Sequence, residues 1–316
     1  CCFVWEIPIS PSAAIADSSP NQAGCPLKGS VDRLMAEWLR LGSRTFLLLL
    51  LFGWTMAGTG EAAEKVQGIL TVHDALTLPN HPVRIEAQLG GKVPGGSFPW
   101  GGVGLHLSID GKPVAMAKTN ESGHASFDYL AKMRGTYAVT VSVDDAASVA
   151  ADNSDATLCV WERRRPIILV ELAALIQPVT SASTGTAAES SLQPLSDAAD
   201  ELSRLTQYYY NVVYVTGGEQ PPSEIAAIGN VRRWLESHKF PPGFVAPPSE
   251  GLGATLETFK QGGWATMKTG IVRTRSSAEM LLQHRFEVVV VPELPKGEMP
   301  RKAKAAKEWK DVRKKL

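Results

Sequence analysis

Between residues 66 and 143 apolar and polar positions alternate in short runs separated by turn residues. The runs Val83-Arg84-Ile85-Glu86-Ala87-Gln88-Leu89 and Val103-Gly104-Leu105-His106-Leu107-Ser108-Ile109 put every second side chain on one face. That is the signature of strands with one buried side. Asp110-Gly111 follows the second run, and both residue types tolerate positive φ, so the pair predicts a hairpin into a strand over 114–119. A turn at 120–123, a strand over 125–129 and a last one over 135–143 complete the series. Short strands at this spacing with no helical stretch predict an all-β sandwich.

After residue 165 the period changes. Pro166-Ile167-Ile168-Leu169-Val170 is a continuous apolar run, as expected of a strand covered on both faces. A Ser/Thr/Ala-rich loop spans 178–194. A helix is predicted over 196–205 with Ser196 as N-cap. A buried strand over 211–215 ends in Thr216-Gly217-Gly218. The next helix, 224–238, carries Ile225, Ile228, Val231 and Leu235 on one face and stops at Phe240-Pro241-Pro242-Gly243. An element boundary near 265–272, a helix over 276–284 opened by Ser276-Ser277, and a strand over 286–291 end the series. Strands alternating with helices predict a three-layer α/β domain with a mainly parallel sheet, whose sites lie at the carboxyl ends of the strands.

The expected organisation is therefore two-domain: a sandwich over 63–145, a linker over 146–165 holding one further strand at 156–161, an α/β domain over 166–298, and a tail over 299–316. Upstream, Met35 opens a segment with Arg40 and Arg44 before an apolar stretch, then Gly60 and Ala62. Residues 35–62 have the three-part layout of a secretory signal peptide cleaved near Ala62, and residues 1–34 read as untranslated or upstream sequence. The apolar run is shorter than the roughly 18–20 residues that span a bilayer comfortably. An uncleaved single-pass anchor is the alternative. The expected location is periplasmic or secreted.

Of the four cysteines, Cys1, Cys2, Cys25 and Cys159, only Cys159 lies beyond the proposed cleavage point, which leaves no internal disulfide and no Cys/His zinc cluster there. Net charge is zero. The tail nevertheless holds eight basic and two acidic residues, and the body between 63 and 298 holds 20 basic and 25 acidic. Ala305, Trp309, Val312 and Leu316 recur at helical spacing, so the tail is expected to form a basic amphipathic helix. Such a helix can stay solvated and partly frayed at the chain end, lie on an anionic membrane surface, or dock on the acidic body. Nothing points to nucleic acid.

Two resemblances add to this reading. Asp110-Gly111-Lys112-Pro113-Val114, the stretch from Thr119 to Phe127, and Gly135-Thr136-Tyr137 resemble bacterial immunoglobulin-like (Ig-like) domains. Residues 166–298 resemble the Rossmann-like fold of haloacid-dehalogenase-like phosphatases, nearest the lipin-type branch. Val213-Tyr214-Val215-Thr216-Gly217 is similar to the family's second motif, Asn230 to Gly243 to its following helix and turn, Lys268 to its third motif, and Phe286 to Glu298 to its fourth. In that family an Asp-x-Asp pair attacks phosphorus, binds Mg²⁺ and protonates the leaving group. Here Glu171 and Ala173 occupy those positions, and Glu293 and Glu298 stand for the later aspartates, with Pro292 in place of a glycine.

A carboxylate displaced by a methylene can cost ~10²-fold. Loss of a positioned acid costs ~10²–10⁴-fold. The resemblance therefore implies a preserved frame with altered chemistry: Thr216 and Lys268 as anion-binding residues, and Glu171 and Glu293 as metal ligands only if Mg²⁺ is bound. Glu171 stays open between nucleophile, ligand contact and ordinary strand-end residue. His106 and His124 read as surface or core residues, and Asp144-Asp145 as a solvated turn with cation binding as the alternative. No serine-hydrolase elbow, His-Glu-x-x-His, Walker loop or dinucleotide fingerprint is present. The expected function is an exported, non-catalytic binding or scaffolding protein whose partner is a protein or a phosphate-bearing ligand, with no cofactor. The alternatives are an active Mg²⁺-dependent phosphohydrolase and a membrane-anchored structural protein.

Overall fold

The computed structural model describes residues 65–93, 96–177, 192–217, 228–247 and 251–316. The signal-peptide segment, most of the loop over 178–194 and the start of the helix over 224–238 lie outside the described residues.

Ten strands build the first module: β1 (Val66–Val72), β2 (Ala75–Thr77), β3 (His81–Val93), β4 (Gly96–Pro99), β5 (Gly104–Ile109), β6 (Lys112–Lys118), β7 (His124–Ala131), β8 (Gly135–Val143), β9 (Val149–Ala150) and β10 (Ser154–Val160). They form two sheets. In one, β9, β1 and β3 lie side by side, and β7 and β4 pair in turn with the other edge of β3. The second runs β2-β10-β8-β5-β6. Alternation does what the sequence implies. Val83, Ile85, Ala87 and Leu89 of β3 face Leu105, Leu107, Val139 and Val141 across one buried core. Asp110 (φ 47) and Gly111 (φ 72) make the tight turn between β5 and β6, closing Ile109 against Lys112.

The sandwich does not end at residue 145. β10 lies inside its second sheet, between β2 and β8, within what reads from the sequence as a linker. Ala156, Leu158 and Val160 of β10 enter the sandwich core, whereas Cys159 and the following Trp161 enter the core of the second module. β10 is the further strand expected at 156–161; what the sequence does not show is that it belongs to the sandwich, because a strand buried on both sides carries no clear one-sided alternation.

The second module is a six-stranded sheet in which every pairing is parallel. Its strands are β11 (Ile167–Glu171), β12 (Asn211–Val215), β13 (Phe244–Val245), β14 (Met267–Val272), β15 (Glu287–Val290) and β16 (Lys304–Ala305). The order is β13-β12-β11-β14-β15-β16, that of an open doubly wound sheet. The helices are α1 (Ala198–Tyr208), α2 (Ile228–Ser237), α3 (Leu252–Gln261), α4 (Arg275–Gln283) and α5 (Trp309–Lys315). Ile168 and Val170 of β11 face a core shared with α1, α2 and α5. Ile167 and Leu169 face the opposite core, shared with α3 and α4.

Several boundaries differ from the expectations. The N-cap position before α1 is Asp197 (φ 60), not Ser196, and it makes no capping side-chain bond. Thr274, not Ser276 or Ser277, caps α4, accepting from Ser277 N. Helix α3 has no counterpart in the sequence reading. The tail belongs to the α/β module: Ala305 sits in β16 instead of a helix, and only residues from Trp309 onward are helical. Trp309 and Val312 are buried against the sheet, so the apolar face that would meet a membrane is already covered. Lys310 reaches Asp197 just before α1 at 3.0 Å, and Arg313 reaches Glu201 of α1 at 3.7 Å. Among the described residues no helix is long and apolar enough to cross a membrane.

Candidate functional site

The central strand β11 delivers Glu171 to the carboxyl edge of the sheet, where the side chain is 1% exposed. A 3-10 turn (Leu172–Ala174) follows it. Strand β11 lies between β12 and β14, so Glu171 meets the ends of those two strands and not that of β15. Just beyond β14 come Arg273 and Thr274. Arg273 N donates to Glu171 Oε2 at 2.7 Å and Thr274 N to the same oxygen at 3.3 Å. Thr274 Oγ1 and Ser277 Oγ donate to Glu171 Oε1 at 3.3 and 2.8 Å. An ionised carboxylate offers about four lone-pair sites, and four donors are aimed at this one. The carboxylate also lies at the N-terminus of α4, where a negative charge is favoured.

The surroundings are closed as well. The Arg273 guanidinium donates to the carbonyl oxygens of Ala173 and Ile176 at 3.1 and 2.8 Å, bracing the turn after β11 from inside. Trp309 Nε1 donates to the Ala174 carbonyl at 2.9 Å from the other face. On the β12 side, a Cβ placed on Gly217 would stand 1.6 Å from Glu171 Oε1. Only a glycine leaves room for the longer carboxylate to reach α4.

The structure brings some of the predicted site residues together and separates others. Thr216 is buried at the end of β12, one residue beyond Val215, which pairs with Glu171. Ala173 is in the turn, and its carbonyl is held by Arg273. Lys268 lies near the amino end of β14, roughly 13 Å along the strand from the carboxyl edge. It therefore does not join Glu171. Glu293 is exposed after β15, two strands away from β11, and Glu298 is exposed too. The anion-binding pair Thr216 and Lys268 and the metal pair Glu171 and Glu293, which the resemblance implies, are thus corrected: each pair is split between separate places on the sheet. The fourth-motif stretch, Phe286 to Glu298, contains β15, while the strand beside β11 is β14.

These residues do not fit a Mg²⁺ ion. The oxygens of Glu171 already accept protein hydrogen bonds, Ala173 offers no ligand, and Glu293 is out of reach. Among the described residues no three His, Cys, Asp or Glu side chains gather as a metal site. In the sandwich, His106 Nε2 stands 3.8 Å from Asp144 Oδ2, and Lys65 Nζ bonds the Asp145 carbonyl at 2.6 Å, so a lysine shares that end with the acids. His124 opens β7 as an exposed residue.

Sequence reasoning missed a second buried polar cluster. Asp74, in the bend between β1 and β2, accepts from Thr157 N and Val245 N, both at 2.8 Å, and from the Arg232 guanidinium of α2. Arg232 also bonds Thr157 Oγ1. Burial raises the Asp74 carboxyl above its ordinary range despite the opposing charge of Arg232. No local pattern marks these residues, because the partners are separated by 158 positions.

No protein-family model and no curated protein matches the chain. Solved structures similar in shape include fibronectin(III)-like modules of CbhA from Clostridium thermocellum, at 11% identity and TM-score 0.21, covering 29% of this chain and 94% of that one. The CARDB domain of a Pyrococcus furiosus protein aligns at 13% identity and TM-score 0.23, covering 30% and 96%. A carbohydrate acetylesterase from Xanthomonas citri aligns at 12% identity and TM-score 0.27, covering 69% and 57%. At these TM-scores no residue correspondence follows, and it is the strand pairing described above that defines the sandwich.

Proposed function

We propose that the protein is an exported, non-catalytic binding or scaffolding protein in which an Ig-like sandwich is joined to a degenerate phosphatase-like α/β module. The reading is carried by Glu171. At the position where a phosphatase of this kind would hold its nucleophile, the carboxylate accepts four hydrogen bonds from Arg273, Thr274 and Ser277. A nucleophile needs a free lone pair facing the substrate, and a general acid needs a proton to give; Glu171 lacks the first and Ala173 the second. The strand order and the adjacency of Thr216 to Glu171 support the phosphatase-like frame.

The test is hydrolysis of p-nitrophenyl phosphate by the purified protein with and without Mg²⁺. The expected rate equals that of buffer, and Mg²⁺ leaves the thermal midpoint unchanged. Mg²⁺-dependent turnover that disappears in Glu171→Ala would overturn the proposal in favour of an active phosphohydrolase.

A further inference from the structure

The edge of the parallel sheet opposite Glu171 holds a cleft of about 340 Å³ between α3, the start of β14 and the turn after α4. Lys260, Lys268, His284 and Arg285 line it, together with the aromatic rings of Trp264 and Phe286. No acidic residue does. Lys260 lies 3.6 Å from Glu257 in an exposed pair, and among the described residues no ion pair engages Lys268 or Arg285. Glu287, the acid next along the chain, is directed to Lys304 at 3.6 Å. Arg163 adds further charge: its guanidinium approaches within 3.4 Å of where a Cβ on Gly263, another lining residue, would stand.

Like charges gathered with few counter-ions raise the energy of the folded chain, and here they gather on a body whose net charge is negative. Arg285 compounds this, since it occupies the left-handed position after α4 (φ 63), where glycine is the less strained residue. The walls supply the second half of a binding site. Trp264 is held edge-on against Trp161 at 6.4 Å and 84°, which fixes its ring. The volume falls in the range of small-molecule sites, roughly 300–1,000 Å³. Ammonium and guanidinium groups recognise phosphate and carboxylate oxygens through charge-assisted hydrogen bonds.

We propose that this cleft binds a small amphiphilic anion, with a phosphate or carboxylate held by Lys268 and Arg285 and an apolar body lying against Trp264 and Phe286. The inference rests on the reading of the protein as a binding module and names the ligand class. The two fail separately, because hydrolysis concerns the Glu171 edge and binding the opposite one.

The probe is 1-naphthyl phosphate, titrated into the full chain by calorimetry, with 1-naphthol and inorganic phosphate as controls. A second arm sediments phosphatidylcholine vesicles with and without phosphatidic acid, to separate a soluble phosphate ester from a lipid headgroup. Expected is saturable binding in one arm, weakened on the order of 10-fold or more in Lys268→Ala and in Arg285→Ser, the effect of losing one charge-assisted hydrogen bond. Both substitutions are at exposed positions, and circular dichroism should be unchanged. Binding of 1-naphthol as tight as that of its phosphate, binding by both variants as tight as by the wild type, or no binding in either arm would overturn the proposal.

Discussion

At the residue scale, the length of Glu171 decides its role. An aspartate at this position would stop a methylene short, and the donors of Thr274 and Ser277 at the start of α4 would lose their acceptor. Glu171→Ala leaves Arg273 N and Thr274 N without that acceptor. Each unsatisfied buried donor costs ~1–3 kcal/mol, so urea denaturation should show a loss of about 3 kcal/mol, with Glu171→Gln near half of that because one acceptor oxygen remains. Gly217→Ala should destabilise by a similar amount in the wild-type background, since the new methyl collides with Glu171 Oε1. In the Glu171→Ala background the same change should cost little, and a double-mutant cycle reads this coupling directly. Additive losses would mean that the glycine serves something other than the glutamate. The sequence marks Glu171 because an apolar run ends there. It hides Arg273 and Ser277, whose contacts with Glu171 close across 102 and 106 positions.

Elements were legible in proportion to how one-sided their burial is. Strands β3, β5 and β7 alternate cleanly because one face meets the sandwich core and the other meets water. β10 and β11 lie between two layers, so their apolar positions carry little phase; both are recognisable as strands, but nothing in the pattern assigns β10 to the sandwich sheet. Helix α3 escaped because Gly251 and Gly253 interrupt its start. The tail shows the opposite case. Its periodic apolar positions correctly announce an amphipathic helix from Trp309 onward, but periodicity cannot name the surface that covers it. Here that surface is the sheet and the turn after β11, reached through Trp309 Nε1 and the Ala174 carbonyl. Trp309→Ala should therefore cost ~3–5 kcal/mol, the range for a large buried aromatic. It should also loosen the Glu171 turn, seen as faster amide exchange at Ala174 and Leu175. An unchanged stability would return the tail to the status of a solvated appendage.

At the scale of the whole molecule, the two modules are welded where β10 leaves the sandwich. Cys159 and Trp161 place apolar surface in the second module, and Asp74 gathers donors from both sides: Thr157 N from the sandwich, Arg232 and Val245 N from the α/β module. The raised carboxyl of Asp74 says that burial outweighs the attraction of Arg232. The pair is then better understood as fixing the orientation of the modules than as a source of stability. Removing one partner is another matter, because an uncompensated charge stays buried at a cost of ~3–5 kcal/mol. Asp74→Ala should lose about that much, and so should not behave as a local change. Arg232→Met combined with Asp74→Ala should lose less than the sum of the two single variants, because the unmatched charge is gone, although Thr157 N and Val245 N still lack their acceptor. The wild type should unfold in a single calorimetric transition, since the modules share a buried contact. Asp74→Ala should broaden or split it as the weaker module melts first. A wild type that already melts in two steps would show that the modules fold independently and that Asp74 joins nothing of consequence.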